Sequence, residues 1–584
     1  MSLIFISCFA STPQLTIKYL GEGQSTIRPN EDKRFLLLPI EEQAQEARLF
    51  VIADNDVVKT IQVRLAVNKI DYYVPLDLQG FAISSLFINI HNVSDEAICW
   101  KEMKLSDTFD TTNTEAFRPA YHFTPVYGWM NDPNGMIYKD GEYHLFYQYN
   151  PYGSMWGNMH WGHATSTDLV HWEHQPIALA PDGLGAIFSG SCVLDKDNTA
   201  GFGKDAIVAF YTSAGERQAQ SMAYSLDNGR TFTKYKGNPI LTSTVRDFRD
   251  PKVIWHEPTH RWVMVLAVGQ EIQFFSSANL REWTLESCFG EKDGAHGGVW
   301  ECPDLLELPV EGTELKKWVL IVNLNPGGPC GGSGTQYFVG TFDGKTFHND
   351  SDPSKIKWMD YGKDHYATVT WSNVPDGRAI ALAWMSNWQY ANQTPTTQFR
   401  SANSVPRELS LYTQEGDIYL ASKPVKELNT LYAKPITKKS FRVNRSYNLG
   451  TIFKQPSYTY ELELTFRNQG ADIIGFQLFN EKGEEVDFHY NLTEKTFTMD
   501  RTNSGQTGFS PDFAVPTPAP ILVRDTYTLR LFVDHSSIEV FDGEGRFCLT
   551  NLVFPSEAYN RLSFYAKGGT FNVTCIRRPI EPKK

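Results

Sequence analysis

The chain has 584 residues, 13% of them aromatic, and a formal net charge of −13. Single hydrophobic cores stop growing well short of that length, so several domains of ordinary size are implied. The negative balance argues against a nucleic-acid partner, whose phosphates it would repel, and no apolar run approaches the roughly 18 residues that span a bilayer.

The opening stretch, Met1-Ser-Leu-Ile-Phe-Ile-Ser-Cys8, reads as the cut-down end of a secretion signal with Cys8 as a lipid attachment point; it is too short for a full signal peptide and lacks a basic start. Further on, Ile61, Val63, Leu65 and Val67 alternate with Gln62, Arg64 and Ala66, and similar runs lie near residues 48–53 and 85–90. Alternation of period two predicts strands, so residues 1–104 are read as a small β-sandwich-like domain. Residues 105–118, rich in Thr, Asp and Asn, are read as a linker. The 8 cysteines are scattered without CxxC spacing, which predicts neither a zinc site nor a disulfide framework.

Residues 128–135 read Gly-Trp-Met-Asn-Asp-Pro-Asn-Gly, a predicted turn that offers one carboxylate, Asp132, beside two amides and a tryptophan. The ordinary reading is a strand-to-strand turn with an Asx cap; the functional one is a nucleophile. Two further acids stand before prolines, in Arg249-Asp250-Pro251 and Trp300-Glu301-Cys302-Pro303. Proline interrupts a ladder, so both are predicted at a strand end or loop mouth. Neighbouring side chains on a strand face opposite ways, so Arg249 and Asp250 share a site only if the backbone leaves the regular pleat. A surface ion pair and an exposed strand-end acid are the plain alternatives.

Taken in order, these segments and others resemble glycoside hydrolase family 32, the retaining β-fructosidases. The series comprises Trp129-Met130-Asn131-Asp132-Pro133-Asn134-Gly135, Phe146-Tyr147-Gln148-Tyr149-Asn150-Pro151, Trp156-Gly157 with His160-Trp161-Gly162-His163, and Phe188-Ser189-Gly190-Ser191. It continues with Arg249-Asp250-Pro251, Glu301-Cys302-Pro303-Asp304 and Trp384-Met385-Ser386-Asn387-Trp388. Each motif alone is weak and the ordered set is specific. It covers residues 119–584 and looks most like bacterial levanases and exo-inulinases.

What the resemblance implies is a site. Asp132 would be the nucleophile, Glu301 the general acid/base and Asp250 a third carboxylate that holds fructosyl hydroxyls as positive charge develops. Retaining hydrolysis wants the nucleophile and acid about 5 to 5.5 Å apart. Three carboxylates in one pocket repel, so one proton is retained more easily than in water, and Glu301 is the expected holder. Arg249, facing the pocket, would keep Asp250 ionised. Asn131, Gln148, Ser189 and the Trp156 indole suit sugar hydroxyls, and the faces of Trp156, Phe188 and Trp388 suit sugar C–H edges, though each aromatic is otherwise plain core. Cys302 is either packing or a weak hydrogen-bonding neighbour of Glu301. The resemblance implies no metal and no cofactor, and His160 with His163 carries little weight as a metal pair.

A phrase recurs independently of the family: Ser166-Thr-Asp168-Leu-Val-His-Trp172, Ser225-Leu-Asp227-Asn-Gly-Arg-Thr-Phe232, Ser277-Ala-Asn279-Leu-Arg-Glu-Trp283 and Thr341-Phe-Asp343-Gly-Lys-Thr-Phe347. Its spacing of roughly 50 to 65 residues suits propeller units with loops. Each phrase predicts a hairpin turn followed by an aromatic packed between blades. With a fifth blade near residues 379–388, residues 119–425 are read as a five-bladed β-propeller, whose central channel gathers Asp132, Asp250 and Glu301 from the first, third and fourth sectors. Beyond residue 425, Tyr460, Leu462, Leu464 and Phe466 alternate with polar residues, as do Leu529, Leu531 and Val533, so residues 426–584 are read as a β-sandwich that braces the propeller. The fold expected is therefore all-β.

The function implied is hydrolysis of fructans such as levan or inulin, releasing terminal fructose, with sucrose as a lesser substrate and export to the periplasm, cell surface or medium. An endo-acting levanase or inulinase, a fructosyl transferase, a five-bladed arabinan-cleaving enzyme and a non-catalytic fructan-binding protein are the competing readings. The presence of all three acids counts against the last.

Overall fold

A computed structural model describes residues 14–112 and 114–581, and Cys8 lies outside the described residues. The described chain is nearly all strand. No helix in it is long and apolar enough to cross a membrane.

Two sheets form the first unit. One has five strands, in the order Leu15–Gly21, Gln24–Pro29, Phe87–His91, Ala47–Ala53 and Asp56–Val63; the other joins Tyr72–Asp77, Phe35–Ile40 and Lys104–Ser106. Leu36, Leu38, Leu49, Val51, Ile61, Val63, Ile88 and Ile90 are buried together between them. Leu105, read as the start of a linker, instead pairs with Leu36 and buries its side chain in this core.

Five sheets follow, arranged as the blades of a propeller and antiparallel except where the short strand Phe399–Arg400 joins the first in parallel. Their innermost strands are Gly128–Lys139, Ala186–Asp195, Phe248–His256, Val299–Pro309 and Tyr366–Thr370, each touching the next and the fifth touching the first. In the first four blades the recurring phrase connects the third strand to the fourth. Asp168, Asp227, Asn279 and Asp343 accept turn N–H groups, including those of His171, Thr231, Glu282 and Thr346. The aromatic at the end of each phrase then packs on the preceding blade, as expected. Phe232 meets Phe146, Trp283 meets Phe210 and Phe347 meets Phe289, at ring centroid distances of 5.5, 5.9 and 5.1 Å. Trp172 of the first blade stacks on Trp371, beside the inner strand of the fifth, and so closes the ring. The fifth blade contains the expected residues 380–384 but begins earlier, at Tyr366.

The last unit is a β-sandwich. Its longest strand, Arg561–Pro579, pairs with Ile473–Phe479 through its first half and with Tyr460–Gln469 through its second. Tyr460, Leu462, Leu464 and Phe466 lie in one buried cluster with Leu529, Leu531 and Val533. Charges join the sandwich to the propeller. His122 bridges Asp534 and Glu539, at 2.8 and 2.9 Å. Arg407 reaches Asp360 and Glu539, at 2.8 and 2.7 Å, and Arg501 pairs with Asp364 at 2.5 Å. All of these side chains are buried, where a charge is tolerated only when partnered.

Candidate active site

The segment read as a turn at residues 129–135 lies within the 12-residue inner strand Gly128–Lys139. Asp250 and Glu301 also stand on inner strands rather than at strand ends. Pro133, Pro251 and Pro303 fall at breaks in the pairing register, where a missing N–H interrupts no regular ladder. The bend expected of a turn is supplied by bulges. Pairing registers break at residues 130–133, 187–190, 249–252, 301–304 and 366–369, once near the same level in every inner strand. Asp250, Cys302 and Ala367 have φ values of 65°, 42° and 53°, a region side chains rarely adopt. The extra residue in each bulge re-aims its neighbours into the channel. Gly135, at φ 53°, has no room for a Cβ, which would stand 2.7 Å from the Phe146 and Trp161 rings.

Asn131, Asp132, Gln148, Trp156, Phe188, Ser189, Arg249, Asp250, Glu301 and Trp388 line one cavity of about 250 Å³. Cys302 lies beneath it, buried. Asp132 accepts hydrogen bonds from Ser189 Oγ at 2.6 Å and Asn131 Nδ2 at 2.9 Å. The Cys302 thiol sits 3.3 Å from Asp132 Oδ2 and 3.6 Å from Asp250 Oδ2, and the Cys302 N–H donates to Asp250 Oδ2 at 2.9 Å. Cys302 therefore neighbours the two aspartates rather than tuning Glu301. Gln148 spends its amide nitrogen on Asn134 Oδ1 and the Ile187 carbonyl. Trp388 stacks on Trp129 at 5.8 Å, and Trp156 meets Phe188 edge-on at 6.2 Å. His160 and His163 do not form a pair: they contact the Asn158 carbonyl and His144, respectively.

Arg249 reverses an expectation. Its Nη2 donates to Glu301 Oε1 at 2.8 Å and its Nη1 to Asp247 at 2.7 Å, whereas Asp250 is 3.9 Å away. The second donor to Glu301 is the Tyr366 hydroxyl, on Oε2. Asp250, too, lies deep enough for its charged form to be disfavoured. Asp250 is only 5% exposed. Burial, only partly offset by Arg249 and reinforced by Glu301 and Asp132, pushes its carboxyl up to about 7. Burial raises Asp132 as well, against the pull of the Ser189 hydrogen bond. The same burial holds the Cys302 thiol far above its usual range, so it stays protonated.

Three carboxyl groups, one guanidinium and hydroxyl donors thus converge from all five blades. The model for the glycosyl hydrolases family 32 N-terminal domain matches residues 122–424, just over half the chain, and the family 32 C-terminal model matches residues 427–577.

The chain belongs to glycoside hydrolase family 32.

The levanase of Bacillus subtilis (strain 168) is 48% identical to this family 32 enzyme over 483 residues, which span 80% of this chain and 71% of the levanase. An extracellular exo-inulinase of Aspergillus ficuum is 39% identical over 498 residues, 78% of this chain and 93% of that protein. The crystal structure of exo-inulinase from Aspergillus awamori superposes with a TM-score of 0.75 at 36% identity, covering 81% of this chain and 100% of that one. Residues 21–121 match a domain of unknown function, DUF4980.

Tyr366 is the site residue that sequence reasoning missed in this family 32 enzyme. A propeller brings one inner-strand position per blade to the channel, and four blades had already supplied Asp132, Ser189, Asp250 and Glu301. Placing the fifth blade at residues 379–388 passed over its inner strand, Tyr366–Thr370, and with it the tyrosine.

Proposed function

We propose that the enzyme is a retaining β-fructosidase that removes terminal fructose from fructans of the levan or inulin type, with sucrose as a lesser substrate. The observation that carries this reading is the convergence of Asp132, Asp250 and Glu301 in one pocket that Trp156, Phe188 and Trp388 also line. Asp132, aligned by Ser189 and Asn131, attacks the anomeric carbon. Glu301, held by Arg249 and Tyr366, protonates the departing oxygen and later activates water. Asp250, in reach of the Cys302 N–H, binds fructosyl hydroxyls and strengthens that hold as the ring becomes oxocarbenium-like. The levanase and exo-inulinase relatives support fructose as the sugar, and the extracellular relative supports export from the cell.

Products released from levan, inulin and sucrose over time, for wild type beside Asp132→Ala and Glu301→Gln, test the reading. Fructose from the earliest points with both variants slower by at least about a thousandfold is expected. Early oligofructans establish an endo cleft instead. Turnover near wild type in either variant removes that residue from its role.

A further inference from the structure

About a fifth of this chain has no counterpart in the exo-inulinase structure, which is matched over its full length. The first unit nevertheless reaches the pocket wall. Arg400 is buried, and its guanidinium gathers two loops. Nη1 donates to the carbonyls of Ser154 and Asn392, at 2.9 and 3.1 Å, and Nη2 donates to those of Thr394 and Thr396, at 3.2 and 2.6 Å. Carbonyls occupy the two Nη groups but do not answer the charge. The carboxylate that meets it comes from the N-terminal unit: Glu42 Oε2, 3.4 Å from Nη2. The other oxygen of Glu42 accepts the Ser154 hydroxyl, and the Ser154 N–H donates to the Tyr72 hydroxyl at 3.0 Å. Four residues on, Asn158 accepts the Gln62 N–H at 2.9 Å and donates to the Gln62 carbonyl at 2.8 Å. Trp156 lies between these two anchors. It is 45% exposed, its backbone N–H is held by Asn392 Oδ1 at 3.0 Å, and its side chain lines the pocket.

We propose that the N-terminal unit is a positioning element for the substrate rim: Glu42 neutralises Arg400 and, with Tyr72 and Gln62, clamps residues 154–158 so that Trp156 is presented to bound sugar. The role assigned to Trp156 rests on the function proposed above; the clamp does not. Losing a partner in a buried, hydrogen-bonded charge pair leaves the other charge uncompensated. Its relief lies in movement of the loops that Arg400 holds. Glu42 touches no reacting atom, so its removal acts on substrate binding rather than on bond cleavage.

The test uses the full chain with Glu42→Gln, which keeps an acceptor for Ser154 but removes the charge, Glu42→Ala, which removes both, and Asn158→Asp, which loses the donor to Gln62. For a short fructooligosaccharide, Glu42→Ala is expected to raise KM about tenfold with kcat changed less than about twofold, and Glu42→Gln to fall between it and wild type. In a Trp156→Ala background the same substitution adds no further rise, because the two act through one path. Amide hydrogen exchange speeds up in residues 151–159 and 391–400 and is unchanged in the C-terminal sandwich. Unchanged KM and exchange, a kcat loss without a KM change, or a KM rise that persists at full size without Trp156 would each overturn the proposal. If Glu42→Ala does not fold, Glu42→Gln and Asn158→Asp carry the same readings at smaller size. If wild type releases no fructose, the parent reading falls while the exchange data still decide whether the clamp exists.

Discussion

Asp250→Asn is expected to make the protein more stable above neutrality and no more stable in acid. The carboxyl sits in the channel between Arg249, Asp132 and Glu301, and burial raises it from 3.8 to about 7. A raised carboxyl favours folding fully below its unfolded value and loses that contribution as pH climbs through its folded value. About three units at 1.36 kcal/mol each set a ceiling of about 4 kcal/mol against the ionised native state at pH 8. Asparagine is neutral at every pH, so the variant escapes this cost. It weakens the bond from the Cys302 N–H by about 1 kcal/mol, which leaves a net gain of about 2 to 3 kcal/mol. The propeller and the sandwich that packs on it, matched by the two family models, have roughly 450 residues. At about 2.1 cal/mol/K per residue, that gain raises Tm by about 2 to 3 °C. Scanning calorimetry of both proteins at pH 4, 6 and 8 reads the difference directly. A Tm gap that is the same at pH 4 and pH 8, or a variant that melts lower at pH 8, refutes the electrostatic reasoning.

Tyr366→Phe removes one of the two groups that hold Glu301 and should lower kcat by about ten- to a hundredfold with KM within about twofold; steady-state rates on sucrose check it, and an unchanged kcat strips the hydroxyl of its role. Alkylation with iodoacetamide at pH 8 should modify the exposed Cys288 and spare the buried Cys302, whose thiolate is disfavoured. Peptide mass spectrometry that finds Cys302 labelled as fast as Cys288 contradicts this. At the junction with the sandwich, burial opposes charge on His122, but hydrogen bonds to Asp534 and Glu539 prevail and lift it to about 9. Its contribution, at most about 3 kcal/mol, is complete below pH 6.5 and lost as pH rises through about 9. Wild-type Tm should therefore fall more steeply between pH 7.5 and 10 than that of His122→Gln, and parallel slopes would dismiss the histidine.

Much of the architecture could be read before any coordinates, for a physical reason. The Asp or Asn of each recurring phrase caps a tight turn and the aromatic after it fills a seam between blades, so a local motif reports a global repeat. The fifth blade lacks the phrase. Its outer strands turn at Glu415 and Gly416, so its start was misplaced and Tyr366 overlooked. Proline misled in a different way, because a residue that ends a regular strand is harmless at a bulge. Arg249 beside Glu301, and the raised carboxyl of Asp250, depend on which blade stands next to which and how deep each side chain lies. Neither is written in a neighbouring residue.

The buried charges at the propeller and sandwich boundary bear on what counts as a part of this molecule. Asp360 and Arg407 belong to one side, Glu539 to the other, and none is reached by water. A propeller expressed alone would present Arg407 and His122 to solvent without Glu539, and the sandwich alone would keep Asp534 and Glu539 with no cation. The two modules that sequence comparison recognises separately are thus a single folding unit, and cutting the chain between them divides a sentence in mid-clause.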